Sequence, residues 1–248
     1  MDVVKYLKRI GVDKDIKVDL ESLAYLQNQH LLTVPFENLD VINKVHIPLD
    51  VKTYYEKIVN NNRGGFCYEL NGLFHWLLGK LGFSSYLVAA TLYRGEGNWG
   101  RSNSHASLIV DLNRPYLVDV GFGNSARKPL PLNGGERKDV SGLYRVIPAK
   151  EGYYYKQRKE GGNWRTLYRF LVEERKLSDF EKQCHFVQTS PTSHFTQRRL
   201  VTIATEKGRK TLSKDKLTIV ENGERREIEV KDWKLASLLA KDFGILDQ

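Results

Sequence analysis

The chain has 248 residues, 41% of them hydrophobic and 28% charged, which is the balance of a globular protein with a sizeable core in one large domain or a few small ones. Its longest apolar runs, such as residues 86–93, are far too short to span a bilayer, and its two cysteines, Cys67 and Cys184, make neither a disulfide framework nor a closely spaced metal-binding cluster. The formal charge of +9 is spread over residues 156–165, 198–210 and Arg225-Arg226; with no dinucleotide fingerprint, phosphate loop or nucleic-acid-binding signature, most of it reads as a solvated surface. The N-terminal run Met1-Asp2-Val3-Val4-Lys5 lacks the charged-then-apolar layout of a signal peptide, so the expected compartment is the cytoplasm.

Residues 1–85 read as mostly helical. Val4, Tyr6, Leu7 and Ile10 form one apolar face, stopped by Gly11. Leu20, Leu23, Ala24, Leu26, Leu31 and Leu32 predict a second helix, with Asp19 or Ser22 as its cap. Val34-Pro35 breaks that pattern, because proline lacks a donor and restricts its predecessor. Tyr54, Tyr55, Ile58 and Val59 predict a third helix ending in Asn60-Asn61-Asn62.

The run Arg63-Gly64-Gly65-Phe66-Cys67 then predicts a tight turn into a fourth helix, with apolar residues at Leu70, Leu73, Phe74, Leu77, Leu78 and Leu81 and Gly82 as a C-cap. Cys67 falls in the first turn of this helix. Free N–H groups and a partial positive charge there favour a thiolate over a thiol. The same position also suits a cysteine that is only a small buried hydrophobe.

From residue 86 the periodicity changes to strands, which makes the fold class α+β. Residues 86–93 form the first, followed by a polar, glycine-rich loop at 94–103. Residues 105–111 and 116–120 flank Leu112-Asn113-Arg114-Pro115 as a hairpin. A three-residue loop places Asp111 opposite Pro115, and by counting back puts His105 diagonal to Asp119 on the same face. A loop one residue longer or shorter would separate the two onto opposite faces. Further strands are expected at 143–147, 152–158, 164–170, 200–205, 217–220 and 226–230, with turns at Glu160-Gly161-Gly162 and Glu221-Asn222-Gly223. Residues 233–243 close the chain as an amphipathic helix.

A thiol nucleophile needs a base to take its proton and a third group to orient that base. Cys67, His105 and Asp119 supply a thiol, an imidazole and a carboxylate. Taken singly, the histidine could equally be a packing residue and Asp119 a turn residue before Gly121.

The sequence resembles the arylamine N-acetyltransferases in Val34-Pro-Phe-Glu-Asn38, Arg63-Gly-Gly-Phe-Cys67 with Glu69-Leu-Asn71, His105, Asp119-Val-Gly-Phe-Gly123 and Ser190-Pro-Thr-Ser-His-Phe195. These blocks span nearly the whole chain. The resemblance implies an N-terminal helical bundle (1–85) carrying the catalytic cysteine, a central antiparallel β-barrel (86–190) carrying the histidine and aspartate, and a C-terminal α/β lid (191–248). It implies a Cys67–His105–Asp119 triad that passes an acetyl group from acetyl-CoA, through a Cys67 thioester, to an arylamine or arylhydrazine, with O-acetylation of N-hydroxyarylamines as a related activity. It implies an aromatic pocket of Phe36, Phe122 and Phe195, and CoA contacts near Arg101, Ser102, Gln197, Arg198 and Arg199. No metal, nucleic acid or membrane partner is expected. Glu37 and Arg63 are expected to form a buried ion pair behind the turn before Cys67, and Cys184 to be structural. The competing readings are a cysteine hydrolase or transglutaminase-like enzyme with the same triad, and a binding module whose charge recruits nucleic acid.

Overall fold

Short polar side chains start the first helices. Asp2 accepts from the N–H groups of Val4 and Lys5 at 2.7 and 3.2 Å and opens α1 (Val3–Arg9). Asp19, not Ser22, caps α2 (Leu20–Thr33), accepting from the Ser22 N–H at 2.7 Å. The chain is extended at Val34, before Pro35, and enters β1 (Phe36–Glu37). There follow α3 (Leu39–Ile42), α4 (Val51–Tyr55), a π-helical turn at Glu56–Asn60, and α5 (Cys67–Lys80). Every residue from Cys67 to Phe74 is buried, so α5 is the central helix of the molecule. It ends at Leu81, with Gly82 one position beyond at φ +90°.

The computed structural model describes residues 1–159 and 161–246; Glu160, in one of the turns expected from the sequence, lies outside them. The strands are β2 (Ser84–Gly95), β3 (Asn98–Trp99), β4 (His105–Asp111), β5 (Pro115–Val118), β6 (Leu130–Pro131), β7 (Arg137–Asp139), β8 (Gly142–Pro148), β9 (Tyr153–Arg158) and β10 (Arg165–Phe170). They form one sheet in the order β6-β5-β4-β2-β10-β9-β8-β7, with β3 paired to β2 and all pairings antiparallel. The sheet curls until β6 approaches β8, giving a near-closed barrel around Val88, Ala90, Ile109, Tyr144, Tyr155 and Tyr168. The other face of β2 and β4, through Leu87, Leu108 and Val110, joins the core around α5.

After β10 come a 3-10 turn (Leu177–Phe180), α6 (Glu181–Thr189) and α7 (His194–Gln197). Phe180 and Cys184 pack into the α5 core. Burial pushes the Cys184 thiol up to about 12, which suits a structural residue. Strands β11 (Leu200–Thr205), β12 (Gly208–Ser213), β13 (Lys216–Glu221) and β14 (Glu224–Glu229) form a second antiparallel sheet in the order β1-β11-β12-β13-β14. Helix α8 (Leu235–Phe243) buries Leu239 and Phe243 against Val201, Leu212 and Leu217. Because β1 pairs with β11, the segment before α5 is stitched to this C-terminal sheet.

One apolar face differs from the sequence reading. Val4 is 73% exposed, and Val3 joins Leu7, Tyr6 and Ile10 on the core instead. At 100° per residue Val4 points away from the side that Tyr6 and Ile10 share.

The expected Glu37–Arg63 pair is part of a larger buried network. Arg63 bridges Glu37 and Asp40, each at 2.8 Å, while Lys57 contacts Asp40 at 2.7 Å, Glu69 at 2.9 Å and Glu37 at 3.7 Å. Glu69 also accepts from the Phe66 N–H at 2.9 Å, capping α5 at the residue before Cys67. Burial outweighs Lys57 there and raises the Glu69 carboxyl to about 7. Removing one member of a buried ion network leaves uncompensated charge and costs about 3–5 kcal/mol. Arg63→Ala is expected to lower stability by that amount, read from urea unfolding.

A second buried polar group lies in the helical core. His30 is fully buried between Tyr6 and Phe74, and neither ring nitrogen has a hydrogen-bond partner among the described residues. Burial holds it neutral, lowering it from 6.5 to about 3. Below about pH 6.5 the unfolded chain takes up a proton that the folded chain refuses, so this residue erodes stability as the pH falls towards 3. His30→Leu is expected to flatten that loss by about 2 kcal/mol between neutral pH and about pH 5, read from urea midpoints. An unchanged slope would assign the acid sensitivity to other groups.

Candidate active site

The β4–β5 hairpin has the register expected from its loop: Asp111 pairs with Pro115 and Leu108 with Val118. The ladder stops at Val118, so Asp119 is the first residue past β5 rather than within it. His105 Nε2 lies 2.8 Å from Asp119 Oδ2, and both side chains are almost wholly buried.

Asp119 is held by four donors. Its Oδ1 accepts from Asn71 Nδ2 at 3.0 Å and from the Gly121 N–H at 2.9 Å. Its Oδ2 accepts from His105 and from the Tyr168 hydroxyl at 2.9 Å. A carboxylate this well satisfied has one orientation. Burial opposes a charge on His105, but the Asp119 carboxylate, with support from Cys67 beside the ring, outweighs it and raises the imidazole to about 10. At neutral pH the ring is therefore an imidazolium next to the thiol.

Cys67 is the first residue of α5, after Phe66 in extended conformation. Two features bring it to the histidine. Asn71, one turn further along α5, donates to the Ala106 carbonyl at 2.7 Å and to Asp119, and accepts from the Val120 N–H at 3.0 Å. Gly121 lies against the cysteine itself: a Cβ there would stand 2.8 Å from Cys67 Cα and 2.6 Å from Asn71 Nδ2. Only glycine permits that approach.

Phe122 meets the His105 ring edge-on at 5.5 Å between centroids, and also Tyr168 at 5.4 Å. Phe195 meets Phe36 at 6.0 Å and Phe66 at 6.1 Å, beside Cys67 in the same core. Of the three aromatic residues named from the sequence, Phe122 thus lies against the imidazole, while Phe36 and Phe195 lie against each other.

The residues expected to contact CoA have separate surroundings. Arg101 donates to Gln183 at 3.0 Å and lies over the Phe186 ring on α6. Ser102 lines a groove with Thr91, Arg169 and Arg175. Gln197 donates to the Pro191 carbonyl at 2.8 Å. The Arg199 guanidinium makes no hydrogen bond or ion pair among the described residues.

Sequence reasoning quoted Asn71 without a role and passed over Tyr168. Asn71 carries a local signal, since it sits four residues after Cys67 and so above it on one helical face. Tyr168 carries none, being 49 residues from the carboxylate it contacts.

The geometry makes a direct prediction. In Asp119→Asn the imidazole loses its counter-charge while burial remains, so the His105 titration seen by NMR should fall from about 10 to below its ordinary value. Alkylation of Cys67 by iodoacetamide near neutral pH should slow by about tenfold or more. An unshifted titration would mean that Asp119 does not set the charge on the ring.

Comparison with known proteins agrees with this geometry. A family model described as N-acetyltransferase matches residues 19–246. The arylamine N-acetyltransferase 2 of Macaca mulatta is 31% identical over 230 residues, covering 84% of this chain and 79% of that protein. An uncharacterized acetyltransferase of Bacillus subtilis is 30% identical over 221 residues, covering 87% of each. The crystal structure of an arylamine N-acetyltransferase from Bacillus cereus superposes with a TM-score of 0.92 at 30% identity over the full length of both chains. That protein is described as having a unique Cys-His-Glu triad; here the carboxylate against the imidazole is Asp119. With a family match over most of its length and this fold, the chain belongs to the arylamine N-acetyltransferase family and is an acetyltransferase enzyme.

Proposed function

We propose that this enzyme transfers an acetyl group from acetyl-CoA to the nitrogen of an arylamine or arylhydrazine by a ping-pong reaction through Cys67. The observation that carries the reading is the buried His105–Asp119 pair beside a thiol at a helix N-terminus. In the first half-reaction the Cys67 thiolate attacks the thioester carbonyl, and the tetrahedral oxyanion faces backbone N–H groups at the start of α5. As it collapses, the bond to the CoA sulfur breaks and His105 gives its proton to that leaving thiolate. In the second, the amine attacks the acetyl-Cys67 carbonyl. His105 accepts the nitrogen's proton, and the Cys67 thiolate leaves.

Thioester exchange is close to neutral in free energy, so the acetyl group stays activated on the enzyme. Aromatic amines are weak bases and reach the site uncharged. Phe36, Phe122 and Phe195 would hold the flat ring of the acceptor. The CoA contacts in this reading are Arg101, Ser102, Gln197 and Arg199, with the unpaired Arg199 guanidinium as the phosphate ligand. The same acetyl-enzyme would pass its acetyl group to the hydroxyl of an N-hydroxyarylamine, which fits a role in xenobiotic metabolism. The chain would work as 1–85 presenting the thiol, 86–190 presenting His105 and Asp119, and 191–248 as a lid. A reducing cytoplasm would keep Cys67 free.

Intact mass after incubation with acetyl-CoA and no acceptor tests the reading. The expected result is one added acetyl group, absent from Cys67→Ala and discharged by an aromatic amine. Prompt CoA release without an adduct would replace transfer with hydrolysis. No adduct and no CoA release would overturn both.

A further inference from the structure

Asn38 follows β1 and stands at the N-cap of α3, where an asparagine side chain ordinarily accepts a hydrogen bond from its own helix. Here it makes no such bond. Glu37 Oε2 takes the Leu39 N–H instead, at 2.6 Å, and the buried Asn38 amide reaches across to a distant part of the chain. Its Nδ2 donates to the Phe195 carbonyl at 2.8 Å and to the Arg198 carbonyl at 2.9 Å, and its Oδ1 accepts from the Leu200 N–H at 2.7 Å. The Asn38 N–H also donates to the Leu200 carbonyl at 3.2 Å, one step beyond the Glu37–Val201 pair of the β1–β11 ladder. Continuation of the ladder accounts for the hold on Leu200. The two amide hydrogens go further, to the segment before it.

That segment needs an outside hold. Helix α7 is a single turn of four residues, too short to persist on its own hydrogen bonds, and the chain leaves it extended at Arg198. Its ties towards α6 are local: Thr196 Oγ1 donates to the Ser190 carbonyl at 2.7 Å, and Ser193 Oγ to the Val187 carbonyl at 2.9 Å. Asn38 supplies the tie to the opposite side. Phe195 is thereby fastened to the β1 region through its carbonyl by Asn38, and through its ring by Phe36, two residues earlier in the chain. The same ring meets Phe66, the residue before Cys67. Phe36 in turn lies against Gly123, next to Phe122: a Cβ at Gly123 would stand 3.7 Å from Phe36 Cγ. A change in the path of residues 195–198 therefore moves the Phe195 ring against its aromatic neighbours.

We propose that Asn38 is a positioning residue for acceptor selection: its amide fixes the Phe195 ring against Phe36 and Phe66, and so sets the width of the slot open to an aromatic acceptor. The inference rests on the reading of Phe195 as a pocket wall. Among the described residues Asn38 has no hydrogen bond to Cys67, His105 or Asp119, so it acts on where the acceptor ring lies and not on the charge of the thiol.

Two readouts on wild type, Asn38→Ala, Asn38→Asp and Phe195→Leu test it. In the first, acetyl-enzyme freed of acetyl-CoA is discharged by aniline and by the bulkier 4-butylaniline. In Asn38→Ala the half-saturating aniline concentration should rise about three- to tenfold with the maximal rate little changed, and the preference between the two amines should shift as it does in Phe195→Leu. The second needs no acetyl group: Cys67 is alkylated by iodoacetamide and by N-benzyliodoacetamide, followed at the Cys67 peptide. The ratio of the two rates should change about threefold or more in both variants, while the pH profile with iodoacetamide stays that of wild type. Asn38→Asp keeps the acceptor for Leu200 but has no donor for the Phe195 and Arg198 carbonyls, so it should reproduce Asn38→Ala and serves where that variant does not fold. A purely structural role would lower the urea midpoint and the maximal rate and leave half-saturation and the alkylation ratio unchanged, which would overturn the proposal. So would a shifted pH profile, since Asn38 would then act on the thiol itself. If Phe195→Leu changes neither readout, the pocket-wall reading fails and takes the proposal with it. If the wild type forms no acetyl-enzyme, the transfer reading fails, and the alkylation ratio alone decides for or against Asn38.

Discussion

The turn after Asp119 can lie on the cysteine helix because residue 121 has no side chain. At 2.8 Å from Cys67 Cα, even a methyl group would force the β5 end and α5 apart. That contact is the point at which the helical core and the barrel wall register against each other. Asn71 locks it from the helix side, with bonds to the Ala106 carbonyl, the Val120 N–H and the Asp119 carboxylate. Each of those bonds reaches a different piece of backbone or side chain near the imidazole. The position of the thiol relative to His105 is therefore set by rigid elements rather than by flexible side chains.

The turn leading into α5 is held electrostatically. The turn through Gly64 and Gly65 packs tightly on the strand before it: a Cβ on Gly64 would stand 2.0 Å from the Pro35 carbonyl oxygen. Arg63 and Lys57 gather Glu37, Asp40 and Glu69 behind this turn, and Glu69 caps the helix at Phe66. Two cations face three carboxylates almost out of reach of water, and burial, with the Glu37 charge adding to it, outweighs Lys57 so that Glu69 holds its proton up to about 7. Such a network specifies a geometry more than it stabilises one. Here the geometry specified is the direction in which the first N–H groups of α5 point.

Much of this was legible in the sequence because it is local. A two-glycine turn followed by an apolar 3.6-residue stripe gives a buried helix with Cys67 at its start. A three-residue hairpin loop fixes His105 and Asp119 on one face, and Asn222-Gly223 fixes the β13–β14 turn, both residues at positive φ. What was not legible is either short or non-local. Strand β12 shows only Leu212 as a buried hydrophobe, and α6 only Cys184, so neither produces a periodic signal. β1, β3 and β6 are two residues each and exist through their partners. Tyr168 reaches Asp119 only because β10 pairs with β2, a contact that no spacing along the chain encodes.

The Asp119 carboxylate is bound to the main chain around it as well as to the imidazole. The Bacillus cereus relative is described as using glutamate. Here the short aspartate lets Oδ1 reach back to the Gly121 N–H two residues on, a local turn bond available to Asp and Asn. The same carboxylate spends its other oxygen on His105 and Tyr168. One side chain thus orients the imidazole and shapes the turn that presses Gly121 onto Cys67. A longer side chain could still reach the ring, but its carboxylate would sit one methylene further from the main chain, and the turn bond would have to come from elsewhere. The His105–Asp119 pair is therefore tied to the backbone path after β5, and the identity of residue 119 is set as much by that path as by the imidazole it contacts.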